Sequence, residues 1–445
     1  MAPNSSIFKI APTTQQYDWG KVGSSAKVAQ FAAKSKLHGF AIDESAPYAE
    51  LWMGTHPKSP SHVFSSGEEL SKNLASHPEL IGKRVADRFD ASNGNLPFLF
   101  KVLSIEKALS IQSHPDKATA GKLHAEQPDI YKGMIFPLGI PTIVIKICGQ
   151  CSDPNHKPEM ALAITPFHAM CGFRPLPSIA ESLQSTPELA ALIPNSIQEA
   201  FASQSGSETP TGSAEKTALR NLFAAVMTAE ESAFQLQLEA LVKRYSGNRT
   251  NPGESEELVE LVLRLNSQFP GDIGIFCAFL LNYITLSPGE AIYLGAGEPH
   301  AYVSGECMEC MANSDNVIRA GLTPKLRDIP NLISGLTYNA SAPSKHFVFP
   351  TVFSDSGAST LYDPPAPEFS VVQVRLTSGK EELHRAVDGP SVAIVTEGVG
   401  IVSWGSGERL DVGVGDVIFI GAGTQLTLTP TGDHGMVVYR AFVEA

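Results

Sequence analysis

One glycine-framed skeleton occurs twice in this chain, and it restricts the possible folds more than any other feature. Gly289-Glu-Ala-Ile-Tyr-Leu-Gly295-Ala-Gly297-Glu-Pro-His300 and Gly415-Asp-Val-Ile-Phe-Ile-Gly421-Ala-Gly423-Thr-Gln-Leu426 follow one pattern. Each runs Gly, five residues, Gly-x-Gly, two residues, and then a position where the copies part. Alternating apolar residues between glycines describe a short strand, entered and left through backbone that needs positive φ. One copy ends in an imidazole, the other in leucine. The economical reading is a duplicated β-barrel in which one copy can hold a metal.

The rest of the chain supports that frame. At 445 residues it is long enough for two or three domains, and Gly 37 with Pro 32 makes it rich in turns. Pro97–Leu103 and Thr142–Cys148 read as short strands. Residues 175–270 change character: Leu219, Leu222, Phe223, Val226 and Met227 recur at helical spacing, as do Leu258, Leu261, Val262 and Leu265. The polar stretch Ser203–Ser213 within this block reads as an exposed loop. Strand-and-turn texture returns from Leu281. The expectation is a mainly β chain of two jelly-roll barrels with an α-helical insertion. Its divisions are 1–174 (N-terminal and first metal-ligand motifs), 175–270 (helical insertion), 271–330 (remainder of the metal-bearing barrel) and 331–445 (a C-terminal barrel without metal ligands).

Lys+Arg 33 against Asp+Glu 46 gives a net charge of −13. That disfavours nucleic acid or an anionic membrane as the main partner and requires a local cluster of cations for any phosphate ligand. The first residues lack a secretory pattern, and the longest apolar segment, around Ile275–Leu281, is too short to span a bilayer. A cytoplasmic location is the default, and the glycosylation triplets at Asn4, Asn248 and Asn339 are then unused. Cys148/Cys151 and Cys307/Cys310 form two C-x-x-C pairs, but they lie too far apart for the usual four-thiolate zinc ribbon.

Three segments carry residues suited to chemistry. Gln112-Ser-His114 places an amide and an imidazole on one strand face, where both reach one ion. Asn155-His-Lys157-Pro-Glu159 offers a carboxylate ligand beside a lysine that suits proton transfer or phosphate. His300 adds a second imidazole. Two imidazoles, a carboxylate and an amide oxygen form a borderline-to-hard set that suits zinc and admits other divalent ions. The third segment, Glu306 to Lys325, brings Glu309, Asp315, Arg319 and Lys325. Arg319 is the better clamp for an oxyanion or phosphate because its fork donates two hydrogen bonds at once.

The glycine skeleton resembles the second motif of the cupin superfamily, with Gly295 in place of the proline and Ser304 in place of the asparagine. Gln112-Ser-His-Pro-Asp-Lys117, Asn155-His-Lys-Pro-Glu159 and Val317-Ile-Arg-Ala-Gly-Leu-Thr-Pro-Lys325, in this order, resemble the type I phosphomannose isomerase family. Gln16-Tyr-Asp-Trp-Gly20, Tyr48-Ala-Glu-Leu-Trp-Met-Gly-Thr-His56 and Leu96-Pro-Phe-Leu-Phe-Lys-Val-Leu103 fit it too. The resemblance implies one Zn2+ per chain held by Gln112, His114, Glu159 and His300, with Arg319 as the active-site arginine. It points to Lys101, Ser110, Lys117, Lys157, Asp315 and Lys325 for the sugar-phosphate pocket. The implied reaction interconverts mannose 6-phosphate and fructose 6-phosphate through an enediol, feeding GDP-mannose synthesis, with the chain taken as a monomer. Glu309, Lys157 and Asp315 are all open as proton carriers; Glu309 is favoured, because a partly buried carboxylate acts near neutrality. The competing readings are a cupin Fe(II) dioxygenase and a sugar-phosphate-binding double cupin without catalysis.

Overall fold

A computed structural model describes residues 5–35, 37, 39–126, 155–206 and 212–445, of which 124–126 by backbone only. Asn4, the expected strand Thr142–Cys148 and the Cys148/Cys151 pair lie outside the described residues.

Among the described residues the large sheets have ten and eleven strands, and each is folded over by one long bent strand. His300–Ala312 pairs through its first residues with Phe167–Phe173 and Ile111–Ser113. Its second half pairs with Phe98–Ile105 and Glu159–Ala163. The bend falls at Gly305, whose φ of +108° leaves no room for a side chain: a Cβ would lie 2.4 Å from the Pro166 carbonyl oxygen. Leu103, Ala161, Phe167, Ile284, Ile292 and Tyr302 fill the space between the two layers, which makes a jelly-roll barrel. In the second barrel the long bent strand is Ser391–Trp404. It pairs with Val417–Ile420 and Met436–Phe442, then with Glu408–Gly413 and Leu426–Pro430. The expected mainly β fold of two barrels is what the chain adopts.

The barrels lie back to back. Phe98, Phe100, Val102, Met160 and Leu162 pack in one core with Val371, Val392, Ile394, Phe419 and Tyr439 of the other barrel. Phe98–Ile105 is therefore buried on both faces, and its odd-numbered residues are left to line its own barrel. The chain begins in the sheet of the C-terminal barrel, since Ile7–Ala11 pairs with Val417–Ile420.

The repeated skeleton is a structural repeat as well. Gly289 and Gly415 have φ of +94° and +87°, and Gly297 and Gly423 both have +73°. The strands Ala291–Leu294 and Val417–Ile420 lie between them.

The helices, from Leu176–Ser185 to Glu256–Gln268, emerge from a single hairpin whose strands are Phe167–Phe173 and Leu281–Leu286. The periodic residues face inward as their spacing requires: Leu219, Leu222, Phe223, Val226 and Met227 are buried on Ser213–Met227, and Leu261, Val262 and Leu265 on Glu256–Gln268. They share a core with Phe173, Ile273 and Phe276 at the barrel edge. Residues 207–211 of the expected loop are outside the described residues.

Candidate metal centre

His114, Glu159 and His300 meet inside the first barrel, all essentially excluded from solvent. Their candidate ligand atoms lie within 4.8 Å of one another. His114 Nε2 is 3.3 Å from one Glu159 oxygen, and His300 Nε2 is 3.3 Å from the other. Neither Nε2, nor Glu159 Oε2, makes a hydrogen bond. Buried polar atoms without partners are costly, and three aimed at one point fit a bound cation.

The backbone explains why they converge. His114 Nδ1 lies 2.5 Å from the Asn316 carbonyl oxygen and His300 Nδ1 lies 2.9 Å from that of Glu298. Each imidazole donates there, which leaves the lone pair of Nε2 facing the centre. The Gly297 N–H donates to the His114 carbonyl at 2.8 Å, so the glycine turn fastens one ligand segment to the other. Burial pushes the His114 pKa down to about 4, so the ring is neutral at pH 7 and ready to coordinate. Burial opposes ionisation of Glu159. Lys157, whose Nζ is 2.6 Å away, outweighs it and holds the carboxyl well below its usual range.

Gln112 and Arg319 join through the ladder. Gln112 stands directly opposite His300 on one side and Arg319 on the other, so the three side chains form a row on one sheet face. Arg319 is half-buried, has no ion-pair partner among the described residues, and is pulled below the ordinary arginine pKa by desolvation.

A second row crosses the other layer. Glu309 is paired with Lys101, and Lys101 with Trp52. Lys101 Nζ is 2.9 Å from Glu309 Oε2 and 5.1 Å from the centre of the Trp52 ring. Burial alone would favour a neutral Lys101, but Glu309 and Glu50 outweigh it and its pKa is raised. Burial also raises that of Glu309, with Lys101 holding it back. The Tyr302 hydroxyl, wholly buried, borders Glu309.

The remaining expected residues scatter. Lys157 is buried against Glu159. Ser110 is half-buried just before the strand that carries Gln112. Asp315 is engaged by Lys58 at 2.9 Å and His56 at 3.5 Å. Lys117, at the start of the helix Lys117–Glu126, and Lys325 are exposed. The sequence pattern assigns no role to Glu50, Trp52, His56 or Lys58, which the fold brings to this region. Glu50 and Trp52 had a usable signal, since their i, i+2 spacing on a strand puts them on one face. Cys307 faces the interior of its own barrel and Cys310 the neighbouring barrel, as a three-residue separation on a strand dictates, so the two do not share a metal.

Comparison with known proteins agrees along the whole chain. A family model for the catalytic domain of type I phosphomannose isomerase matches residues 7–135 and 147–176. Models for the helical insertion domain and the C-terminal part of the same family match 192–281 and 359–406. The mannose-6-phosphate isomerase of Cryptococcus neoformans var. neoformans serotype D is 46% identical over 456 residues, covering 99% of both chains. Those of Saccharomyces cerevisiae (99% of both chains) and Rattus norvegicus (98% of this chain, 99% of the other) are 43% and 40% identical. A crystal structure of mannose 6-phosphate isomerase from Salmonella typhimurium bound to its substrate, fructose 6-phosphate, and zinc matches with a TM-score of 0.76. It is 30% identical and covers 99% of this chain and 100% of its own.

Proposed function

We infer the function from the premise that this chain belongs to the type I phosphomannose isomerase family: it is a zinc-dependent aldose–ketose isomerase that interconverts mannose 6-phosphate and fructose 6-phosphate. The observation that carries the inference is the set of buried, unpartnered atoms His114 Nε2, His300 Nε2 and Glu159 Oε2 aimed at one point. With Gln112, whose register sets it beside His300, these residues hold one Zn2+ per chain. When bound, zinc supplies a Lewis acid for negative charge developing on substrate oxygen.

The chain's own groups do the rest. Glu309 takes the proton from C2 of the open-chain aldose and delivers it to C1, passing through an enediol as the hydroxyl proton shifts from O2 to O1; the reverse path returns both. Lys101 orients that carboxylate, and burial raises its proton affinity while Lys101 holds the rise back. Arg319 accepts the developing enediolate charge through its fork. Lys157 fixes Glu159 and is the second proton carrier to test. Ser110, Lys117, Asp315 and Lys325 are assigned to the sugar phosphate, with the phosphate at the exposed cations Lys117 and Lys325. The enzyme works as a cytoplasmic monomer supplying mannose 6-phosphate for GDP-mannose synthesis, and the divisions 1–174, 175–270, 271–330 and 331–445 are its proposed segments. Among the described residues no helix is long and apolar enough to cross a membrane.

A coupled assay with mannose 6-phosphate, with and without chelator, tests the activity; turnover that survives complete zinc removal sinks it. Glu309→Gln is expected to lower kcat by roughly 10²–10⁴-fold while zinc stays bound. Near-normal turnover in that variant would move the proton to Lys157. An Fe(II) dioxygenase gives the Lys101–Glu309 pair and Arg319 no task, and oxygen uptake on adding iron is its signature.

A further inference from the structure

The ladders place the core strand residues of one barrel on positions of the other, starting from the repeated strand. Leu294 pairs with Glu159 and its counterpart Ile420 with Ser391, so Ser391 stands where Glu159 stands. Glu159 pairs onward with Met311, and Ser391 with Phe442. Two residues back along those strands, Glu309 opposite Ala161 coincides with Arg440 opposite Ala393. His300 faces Gln112, and its counterpart Leu426 faces His384. The positions of Glu159, Gln112, His300 and Glu309 are thus taken by Ser391, His384, Leu426 and Arg440.

In the first barrel the residues at the Glu159 and Gln112 positions surround the metal centre. In the second, Ser391 and His384 hold one group between them, the guanidinium of Arg440. Nη2 donates to Ser391 Oγ at 2.9 Å and Nη1 to His384 Nδ1 at 3.1 Å. Arg440 is 1% exposed, and among the described residues no carboxylate is within ion-pair distance of it. Its charge is answered through a relay. His384 Nε2 donates to Ser359 Oγ at 2.9 Å, and the hydroxyls of Ser359, Ser354 and Ser356 donate to the buried carboxylate Glu382. Burial and the adjacent guanidinium push His384 down to about 3, which keeps the ring neutral, as the relay requires.

We propose that the C-terminal barrel carries a second cation site, at the position of its sister's metal centre, and that the guanidinium of Arg440 fills it from within. A buried arginine without a carboxylate beside it is expensive as packing alone. It is intelligible where the fold already provides a polar recess for a cation. The ligand class of the site is a planar monovalent cation, and the barrel then has no need of a divalent ion.

Arg440→Gly removes the internal cation, and thermal unfolding of the zinc-loaded full-length variant reads the result. The variant should melt below the parent. Low-millimolar methylguanidinium should restore at least half of the loss, whereas equal potassium chloride or methylurea restores none and the parent does not respond. Absence of recovery, or equal recovery with methylurea, overturns the proposal. If the glycine variant does not accumulate folded, Arg440→Lys and Arg440→Met decide. A cation site makes the lysine variant the higher-melting of the two, and a methionine variant as stable or more so overturns it. Zinc content should not change in any of them.

Discussion

The two barrels share a core ladder and differ most in two places. The hairpin that joins Phe173 to Leu281 in the first barrel carries the whole helical block. The corresponding hairpin in the second closes in a turn between Trp404 and Glu408. The interiors differ too: one holds His114, His300, Glu159 and Lys157 beside the Lys101–Glu309–Glu50 cluster, the other mostly valine, leucine and isoleucine with one polar relay. A backbone ladder is therefore neutral about function. A handful of side chains at fixed register positions decides whether a barrel is an active site or a scaffold.

Making the first barrel resemble the second is the strongest test of that contrast. His300→Leu should release zinc and lower kcat/KM by at least roughly 10²–10³-fold, the scale of losing a group that stabilises transition-state charge. Metal analysis beside the coupled assay checks it, and zinc retained at full stoichiometry would break the comparison.

Charge in the first interior is the next target. Lys101→Met strands the buried carboxylates of Glu309 and Glu50, and a cost of about 3–5 kcal/mol is expected in chemical denaturation. Val372→Met, at the matching position of the second barrel, faces only overpacking of about 1–3 kcal/mol. Equal losses would show that the Lys101 charge is immaterial.

Acid should act on both barrels of the zinc-free protein. His114 and His384 titrate lower in the folded chain, near 4 and 3, than the ordinary value of about 6.5. The unfolded chain therefore takes up these protons first, and stability falls as pH drops from about 6.5 toward the folded values. His384→Asn should shrink the fall in melting temperature between about pH 7 and pH 5. A fall of the same size would remove His384 from the account.

The smallest effect separates the twin turns. Gly423→Ala meets no atom within 4 Å and should cost only the positive-φ penalty, roughly 1–2 kcal/mol. Gly297→Ala adds a Cβ 2.8 Å from the Gly335 carbonyl oxygen and disturbs the turn that holds His114, so it should melt lower and retain zinc less well.

Much of this was legible in the chain. The glycine skeleton foretold the twin strands, because positive φ and alternation are local properties. The helices of the insertion followed from the spacing of Leu219–Met227 and Leu261–Leu265, for the same reason. The metal ligands stood out only when three separated segments were taken together. Spacing puts Glu50 and Trp52 on one face, but their partner Lys101 lies across a ladder, and Asn316 acts through a carbonyl far along the chain, so those roles were not legible. The resemblance puts Lys101 in the sugar-phosphate pocket, and Lys157 read as a phosphate partner or proton carrier. The fold engages both with carboxylates, because buried ammonium groups need counter-charge.

The sequence by itself determined the duplicated strand-and-turn units, the helical block and the residue types at the metal centre. These are set by periodicity, glycine conformation and ligand chemistry, all of which act within a few residues. Only the tertiary structure decided which histidine nitrogen faces inward, that Arg319 shares a row with Gln112 and His300, and that Arg440 stands on the counterpart of Glu309. Those facts are matters of register between strands remote in sequence. Register is fixed by burying whole faces together, not by any residue's own preference.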